Sequence, residues 1–355
     1  MVPSRLCESG AVTRAAAAQR LRILLLTDQG LVPDRPRSKL KGRERELTKT
    51  EYDVLAALKR LKHEVTCVGL GDDLSTLARA LRRANPHVTF TLVEELKGLP
   101  YFDQHVVSYL QLRKQKYTGC NPRGLMIARD KALTKQVLTY HRIPVPRFAV
   151  IPQRKKMVIP KRLRFPLFVK PLTVEGSEGI ANASLVRDAD KLRERVAFIH
   201  EKVQSSALVE EFIQGREIYV GVFGNELLTA LPPWELTMRK IPDGSPLIAT
   251  DKAKWDPKHQ KKVGLVTGPA QLKPDQAADL ERLSKRIYRL LGLNGYARLD
   301  YRMNKAGLFY LLEANPNPQI ARDEDFARSA KHVNIDYEEL LQKLVTLAQS
   351  YTPKP

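Results

Sequence analysis

Only three cysteines occur in 355 residues, Cys7, Cys67 and Cys120, and their spacing fits neither a metal site nor an even-numbered disulfide framework. A cross-linked secreted scaffold is thereby set aside, Cys67 reads as core within an apolar strand, and a reduced cytoplasm is the expected compartment. No apolar run approaches the ~20 residues that a membrane span needs. Aromatics are sparse at 7%, and none interleave with basic residues in the manner of a nucleic-acid reader. Internal repeats and low-complexity tracts are also lacking. The first twenty residues contain Arg5 and Arg14 but no continuous apolar segment, so they do not read as a secretory signal. A flexible tail over 1–20 is expected, with an Ala- and Arg-rich transit peptide as the alternative.

What is plentiful is positive charge. Sixty Lys+Arg against 39 Asp+Glu give a formal net charge of +21, spread along the chain, which favours anionic ligands such as phosphate-rich cofactors. The length suffices for two or three compact units.

Strand-like 22–27, a helix over 47–61, strand 63–70, helix 74–84 and strand 88–93 alternate as in a parallel sheet flanked by helices. A polar loop is expected over 28–45, and a helix over 106–112 closes this first unit, 21–126. A second unit, 127–210, holds a helix over 128–140, strands 148–151, 168–170, 183–186 and 207–211, and a helix over 188–202. The basic run between Arg154 and Arg164 reads as solvated. The third unit, 211–350, begins with strands 217–223 and 226–231 and a polar loop over 232–264. A helix over 274–291, a hairpin over 296–314 and a last helix over 337–348 complete it.

The hairpin carries the chemistry. Arg298 and Asp300 share one strand face, Glu313 and Asn315 another. An even four-residue turn, Asn304-Lys305-Ala306-Gly307, would bring both pairs together. Two carboxylates and an amide oxygen among apolar neighbours form a hard-oxygen set of the kind that holds Mg2+ and leaves positions open for phosphate. An ordinary hairpin with surface charges is the bland alternative.

Upstream, Lys170 ends a strand before Glu175-Gly176-Ser177-Glu178-Gly179, whose glycines would let backbone N–H groups wrap phosphate oxygens. A surface hairpin would look the same. Asp130 suits a positive helix end, and Lys131 after it reads, by itself, as an exposed helix lysine. The bend at Glu210, Phe212 and Ile213 could offer backbone groups to an adenine, and Glu217 could accept from ribose hydroxyls; a plain linker is the alternative. Lys254-Trp255 lies in a loop long enough to act as a lid.

Five segments in this order, ARDKALTK, FVKPLTVEGSEGI, VEEFIQGREIYV, ARLDYR and LLEANPNP, resemble the ATP-grasp superfamily, within it the D-alanine–D-alanine ligases. The resemblance covers roughly 22–348. It implies an α/β protein of α+β lobes, an ATP-grasp fold preceded by a Rossmann-like parallel domain. It implies an ATP-dependent joining of a small-molecule carboxylate to an amine through an acyl-phosphate, in the cytoplasm, with a homodimer as the usual assembly. Lys131 and Lys170 would contact ATP phosphates, with Glu175, Gly176 and Ser177 in the loop closing over them and Lys254 reaching the γ-phosphate. Glu210, Phe212, Ile213 and Leu312 would meet adenine, Glu217 the ribose, and Asp300, Glu313 and Asn315 two Mg2+ (or Mn2+) ions. Arg298, Ser177 and Lys254 would be catalytic, Arg298 by stabilising the oxyanion.

The likeness breaks on the substrate side. Arg43 stands where the family holds its first substrate's ammonium with a glutamate, although Glu44 and Glu46 are close. Trp255 replaces a tyrosine, Gln319 a glycine, and Glu324 a serine that meets the second substrate's carboxylate. Glu324 would repel that group unless protonated or paired with Arg322. An altered substrate pocket is therefore expected. True D-alanine–D-alanine ligation and a non-catalytic ATP-binding regulator are the alternatives.

Overall fold

The computed structural model describes residues 19–154, 157–174, 179–242, 246–248, 250, 253 and 256–353. Three sheets organise them. Strand Arg22–Asp28 lies between Glu64–Leu70 and Val88–Thr91, all parallel. Its apolar run is buried on both faces, as a central parallel strand requires. Helix Leu74–Ala84 starts where the Asp73 carboxylate accepts from the Ser75 N–H at 2.9 Å, and ends on Asn85 in the left-handed conformation.

The second sheet is antiparallel, in the order Phe148–Ile151, Ala207–Glu211, Leu167–Pro171, Leu185–Val186. Helix Ala189–Phe198 covers it, and Leu167, Val169, Val196, Ile199 and Val209 form a core of their own. The third sheet runs Leu265–Pro269, Trp234–Met238, Arg216–Gly224, Gly295–Met303, Phe309–Pro316, with Leu228–Ala230 beside Arg216–Gly224. Its core is continuous with that of the first sheet: Leu24, Leu26 and Leu77 belong to the same packed cluster as Tyr288, Leu299 and Tyr301. No helix among the described residues is long and apolar enough to cross a membrane.

The structure corrects several expectations. The short helix Gly42–Leu47 begins inside the loop expected over 28–45. Within 232–264 lie strand Trp234–Met238 and helix Pro257–Val263; the alternation of Trp234, Leu236 and Met238 was the available signal, masked by Pro232, Pro233 and the polar residues downstream. The helix expected over 128–140 is two, Pro122–Arg129 and Lys131–Tyr140. Between them Asp130 leaves helical geometry and accepts from the Ala132 and Leu133 N–H groups, both at 2.9 Å.

The hairpin register also arises differently. Leu308 is not in the second strand, so the connection has five residues, an odd number. That alone would set Asp300 opposite Leu312. A bulge between Asp300 and Tyr301 takes Leu312 out of the pairing, so that Asp300 opposes Glu313 and Arg298 opposes Asn315. The face-sharing expected from an even turn is restored by one extra residue.

Candidate functional site

On this bulged hairpin Asp300 accepts from the Arg298 guanidinium through both oxygens, at 2.8 and 2.9 Å, and from the Asn315 amide at 2.9 Å. Opposite, Glu313 meets the Lys131 ammonium at 3.1 Å. Lys131 is buried and also donates to the Val174 carbonyl at 2.8 Å, which ties the helix Lys131–Tyr140 to the segment before residues 175–178.

A second cluster lies beside it. Glu210, 3% exposed, receives Lys135 at 2.6 Å on one oxygen and Lys170 at 3.0 Å on the other. Burial alone would push this carboxyl up; the Lys135 and Lys170 ammoniums override it and hold the group below the usual carboxylate range. Lys135 donates further to the Leu312 carbonyl at 3.1 Å, at the bulge, so the two clusters are joined through the backbone. Sequence reasoning passed over Lys135. Its position one helical turn after Lys131, on the same face, was the signal.

On the hairpin's own sheet, Glu217 is held by Arg302 at 2.9 Å and by the Tyr219 hydroxyl at 2.8 Å. Arg302 also donates to the Leu247 and Gly215 carbonyls and lies 5.8 Å from the Phe212 ring, which brings Glu217 and Phe212 into one neighbourhood. Ile213 is half-buried beside Phe212. Arg302 and Tyr219 were likewise unanticipated. Glu175, Gly176, Ser177 and Lys254 lie outside the described residues, as does Trp255.

Among the described residues no three His, Cys, Asp or Glu side chains gather into a metal-holding group. A divalent ion at the hairpin would therefore rest on the Asp300 and Glu313 carboxylates, the Asn315 amide oxygen and phosphate oxygens. This hard-oxygen set suits Mg2+, and Arg298 and Lys131 now supply the compensating charge.

On the substrate side, Arg43 and Glu46 are exposed and Glu44 is taken by Arg35. Gln319 lines a small cavity. Glu324 is not paired with Arg322, whose guanidinium turns to Glu338 at 2.6 Å; its neighbour is Lys49, at 3.6 Å. Burial raises the Glu324 carboxyl, and Lys49 offsets part of that rise.

Two α+β sheets that bring three lysines and an acidic, amide-bearing hairpin to one place, after a parallel α/β unit, define the ATP-grasp class of ligases. The family model described as the D-ala D-ala ligase C-terminus matches residues 136–346. Among curated proteins, the chain is 31% identical over 304 residues to a D-alanine–D-alanine ligase of Nitratidesulfovibrio vulgaris, covering 83% of this chain and 90% of that one. It is 30% identical over 302 residues to an uncharacterized protein, y4sG, of Sinorhizobium fredii, covering 83% and 86%. Among solved structures, a Bacillus anthracis D-alanine–D-alanine ligase complexed with ATP superposes with a TM-score of 0.71 at 20% identity, over 92% of this chain and 97% of that one. The chain belongs to the D-alanine–D-alanine ligase family and is an ATP-dependent ligase of the C–N bond-forming class.

Proposed function

We propose that this protein joins an amino-acid-like carboxylate to an amine acceptor other than D-alanine bound in the familiar way, in the cytoplasm, converting ATP to ADP and phosphate. The observation that carries the reading is the convergence of Lys131, Lys135 and Lys170 with Arg298, Asp300, Glu313 and Asn315. Phosphoryl transfer needs positioning and neutralisation of spreading negative charge, and such a set supplies both.

In this reading Lys131 and Lys170 bind the ATP phosphates, while Lys135 fixes Glu210 and the Leu312 carbonyl at the nucleotide's edge. Phe212, Ile213 and Leu312 border the adenine, and Glu217, oriented by Arg302 and Tyr219, takes the ribose hydroxyls. Glu175, Gly176, Ser177 and Lys254 close over the phosphates. Asp300, Glu313 and Asn315 would hold two Mg2+ ions, which neutralise charge on the transferring phosphoryl group.

A carboxylate oxygen attacks the γ-phosphorus as the bond to ADP breaks. The amine then attacks the acyl carbon, the acyl–oxygen bond breaks, phosphate leaves and the amine loses a proton. Arg298 stabilises the oxyanion between these events.

Glu324 favours the altered acceptor. A carboxylate beside it would be repelled, whereas a cationic or neutral amine would not. D-alanine–D-alanine ligation, the activity named for the relatives, is the second reading; Lys49 beside Glu324 supports it, as an ammonium able to meet a second carboxylate. An ADP-release screen of amino acids and small carboxylates in pairs, with mass spectrometry of products, decides between them. Release with D-alanine alone would support the second reading, and release with no pair would remove the catalytic one.

A further inference from the structure

Strand Arg216–Gly224 sets Glu217 opposite Arg302, Tyr219 opposite Asp300 and Gly221 opposite Arg298 on strand Gly295–Met303. Directly opposed residues point to the same side of a sheet, so Glu217 and Arg298 share one face, with Tyr219 between them. Gly221 puts no side chain opposite Arg298.

Tyr219 touches both. Its hydroxyl donates to Glu217 Oε1 at 2.8 Å, and the guanidinium carbon of Arg298 stands 4.7 Å from the centre of its ring. A cation over an aromatic face at that range is attracted by the ring's quadrupole. Arg298 is therefore held on two sides, by the ring and by both oxygens of Asp300, at 2.8 and 2.9 Å. Burial, and after it the Glu217 carboxylate, raise the Tyr219 hydroxyl well above its usual value, which keeps it a neutral donor.

The ring has little freedom of its own. Tyr219 is 5% exposed and packs with Trp234 and Leu236. A phenol is rigid and carries its hydroxyl at the far end, so the place of Glu217 sets the tilt of the ring, and the tilt sets where Arg298 rests. Glu217 is braced in turn by Arg302, which is anchored to the Gly215 and Leu247 carbonyls at 3.2 and 3.0 Å. An ionised carboxylate accepts about four hydrogen bonds. Tyr219 and Arg302 each supply one, which leaves acceptor sites on Glu217 for sugar hydroxyls.

We propose that Tyr219 is a positioning residue that couples sugar recognition to catalysis. Ribose hydroxyls on Glu217 steady the Tyr219 ring, and the ring holds Arg298 in place for the oxyanion that forms when the amine attacks. This rests on the ligase reading above and extends it to the nucleotide: a ribonucleoside triphosphate is favoured over its 2′-deoxy counterpart in rate as well as in affinity.

With the productive pair from the ADP-release screen, single-turnover amide formation is followed by rapid quench at saturating ATP and at saturating 2′-deoxy-ATP. Wild type is expected to form amide at least ~5-fold more slowly with the deoxynucleotide. Tyr219→Phe keeps the ring and loses the hydroxyl. In it the two nucleotides should differ in rate by less than about twofold, both rates settling near that of wild type with 2′-deoxy-ATP. Tyr219→Leu, which loses the ring, should slow amide formation with ATP at least ~10-fold. Thermal unfolding checks that both variants are folded. A general loss of stability leaves the ratio between two nucleotides in one variant unchanged, so Tyr219→Phe decides the matter even where Tyr219→Leu fails to fold. A deoxynucleotide that raises only the KM in wild type, or an equal rate penalty in wild type and Tyr219→Phe, would overturn this inference and leave the ligase reading standing. No ADP release with any pair would remove the ligase reading itself.

Discussion

Two buried glutamates in this molecule meet opposite fates. Glu210 has an ammonium on each oxygen and is held below the usual carboxylate range; Glu51 has an oxygen with no partner and is pushed up to about 7. Both are almost fully enclosed, at 3% and 4% exposure, so burial is not what separates them. The difference lies in what the fold brings alongside. Helix Lys131–Tyr140 and strand Leu167–Pro171 deliver their lysines to Glu210, whereas Asp28 and Glu94 add negative charge around Glu51. One site is electrically complete without a ligand and can serve as a rigid wall. The other keeps an unpartnered oxygen among like charges and is neutralised by holding its proton.

The largest effect that would break this contrast concerns the hairpin fed by the lysine side. Asp300→Asn or Glu313→Gln is expected to abolish Mg-ATP turnover with an unchanged circular dichroism spectrum; near-normal turnover in either purified variant would remove the metal assignment. Arg298→Ala should lower kcat by on the order of 100-fold, about 3 kcal/mol in barrier, with the KM for ATP nearly unmoved.

Lys135→Met strikes the completed site directly. It leaves a buried carboxylate with one ammonium, and a destabilisation of about 3 kcal/mol is expected in urea unfolding. An unchanged midpoint would mean that Lys170 alone satisfies Glu210.

The smallest effect is in pH, and there the two sites pull in opposite directions. Glu210, held low, contributes stability that is present above its unfolded value of 4.5 and lost as pH falls through its folded one. Glu51 and Asp28, held high, contribute stability that is present below their unfolded values of 4.5 and 3.8 and lost as pH rises toward about 7. Ligand-free wild type should therefore weaken between pH 4.5 and 7, and Glu51→Gln should flatten that decline and unfold a few degrees higher at pH 7. A slope of equal steepness in both proteins would show that Glu51 is not the group responsible.

These two regions were unequally legible in the sequence. The hairpin and the parallel first sheet followed from alternation and spacing, which are local or nearly so, whereas Lys131 and Lys170 stood out only through the resemblance of five ordered segments to a known family. Lys135 did not, because a lysine on a helix reads as solvent-facing until another lobe covers it. Glu51 shares its helix face with Val54 and Leu58, both fully buried, so its position inside the apolar stripe was visible. Its lack of a partner was not, since that depends on Asp28 and Asn317 arriving from distant parts of the chain. The bulge at Leu312 is of the same kind: it is settled by where the turn closes, one residue later than turn chemistry suggested.

The most direct test of the chemistry follows oxygen. With the carboxylate donor labelled in both oxygens with the heavy isotope and a productive amine present, the released phosphate should carry one labelled oxygen, because the attacking oxygen leaves with phosphorus when the amide forms. Unlabelled phosphate accompanied by amide product would contradict an acyl-phosphate route, and with it the role assigned to the lysine and hairpin cluster.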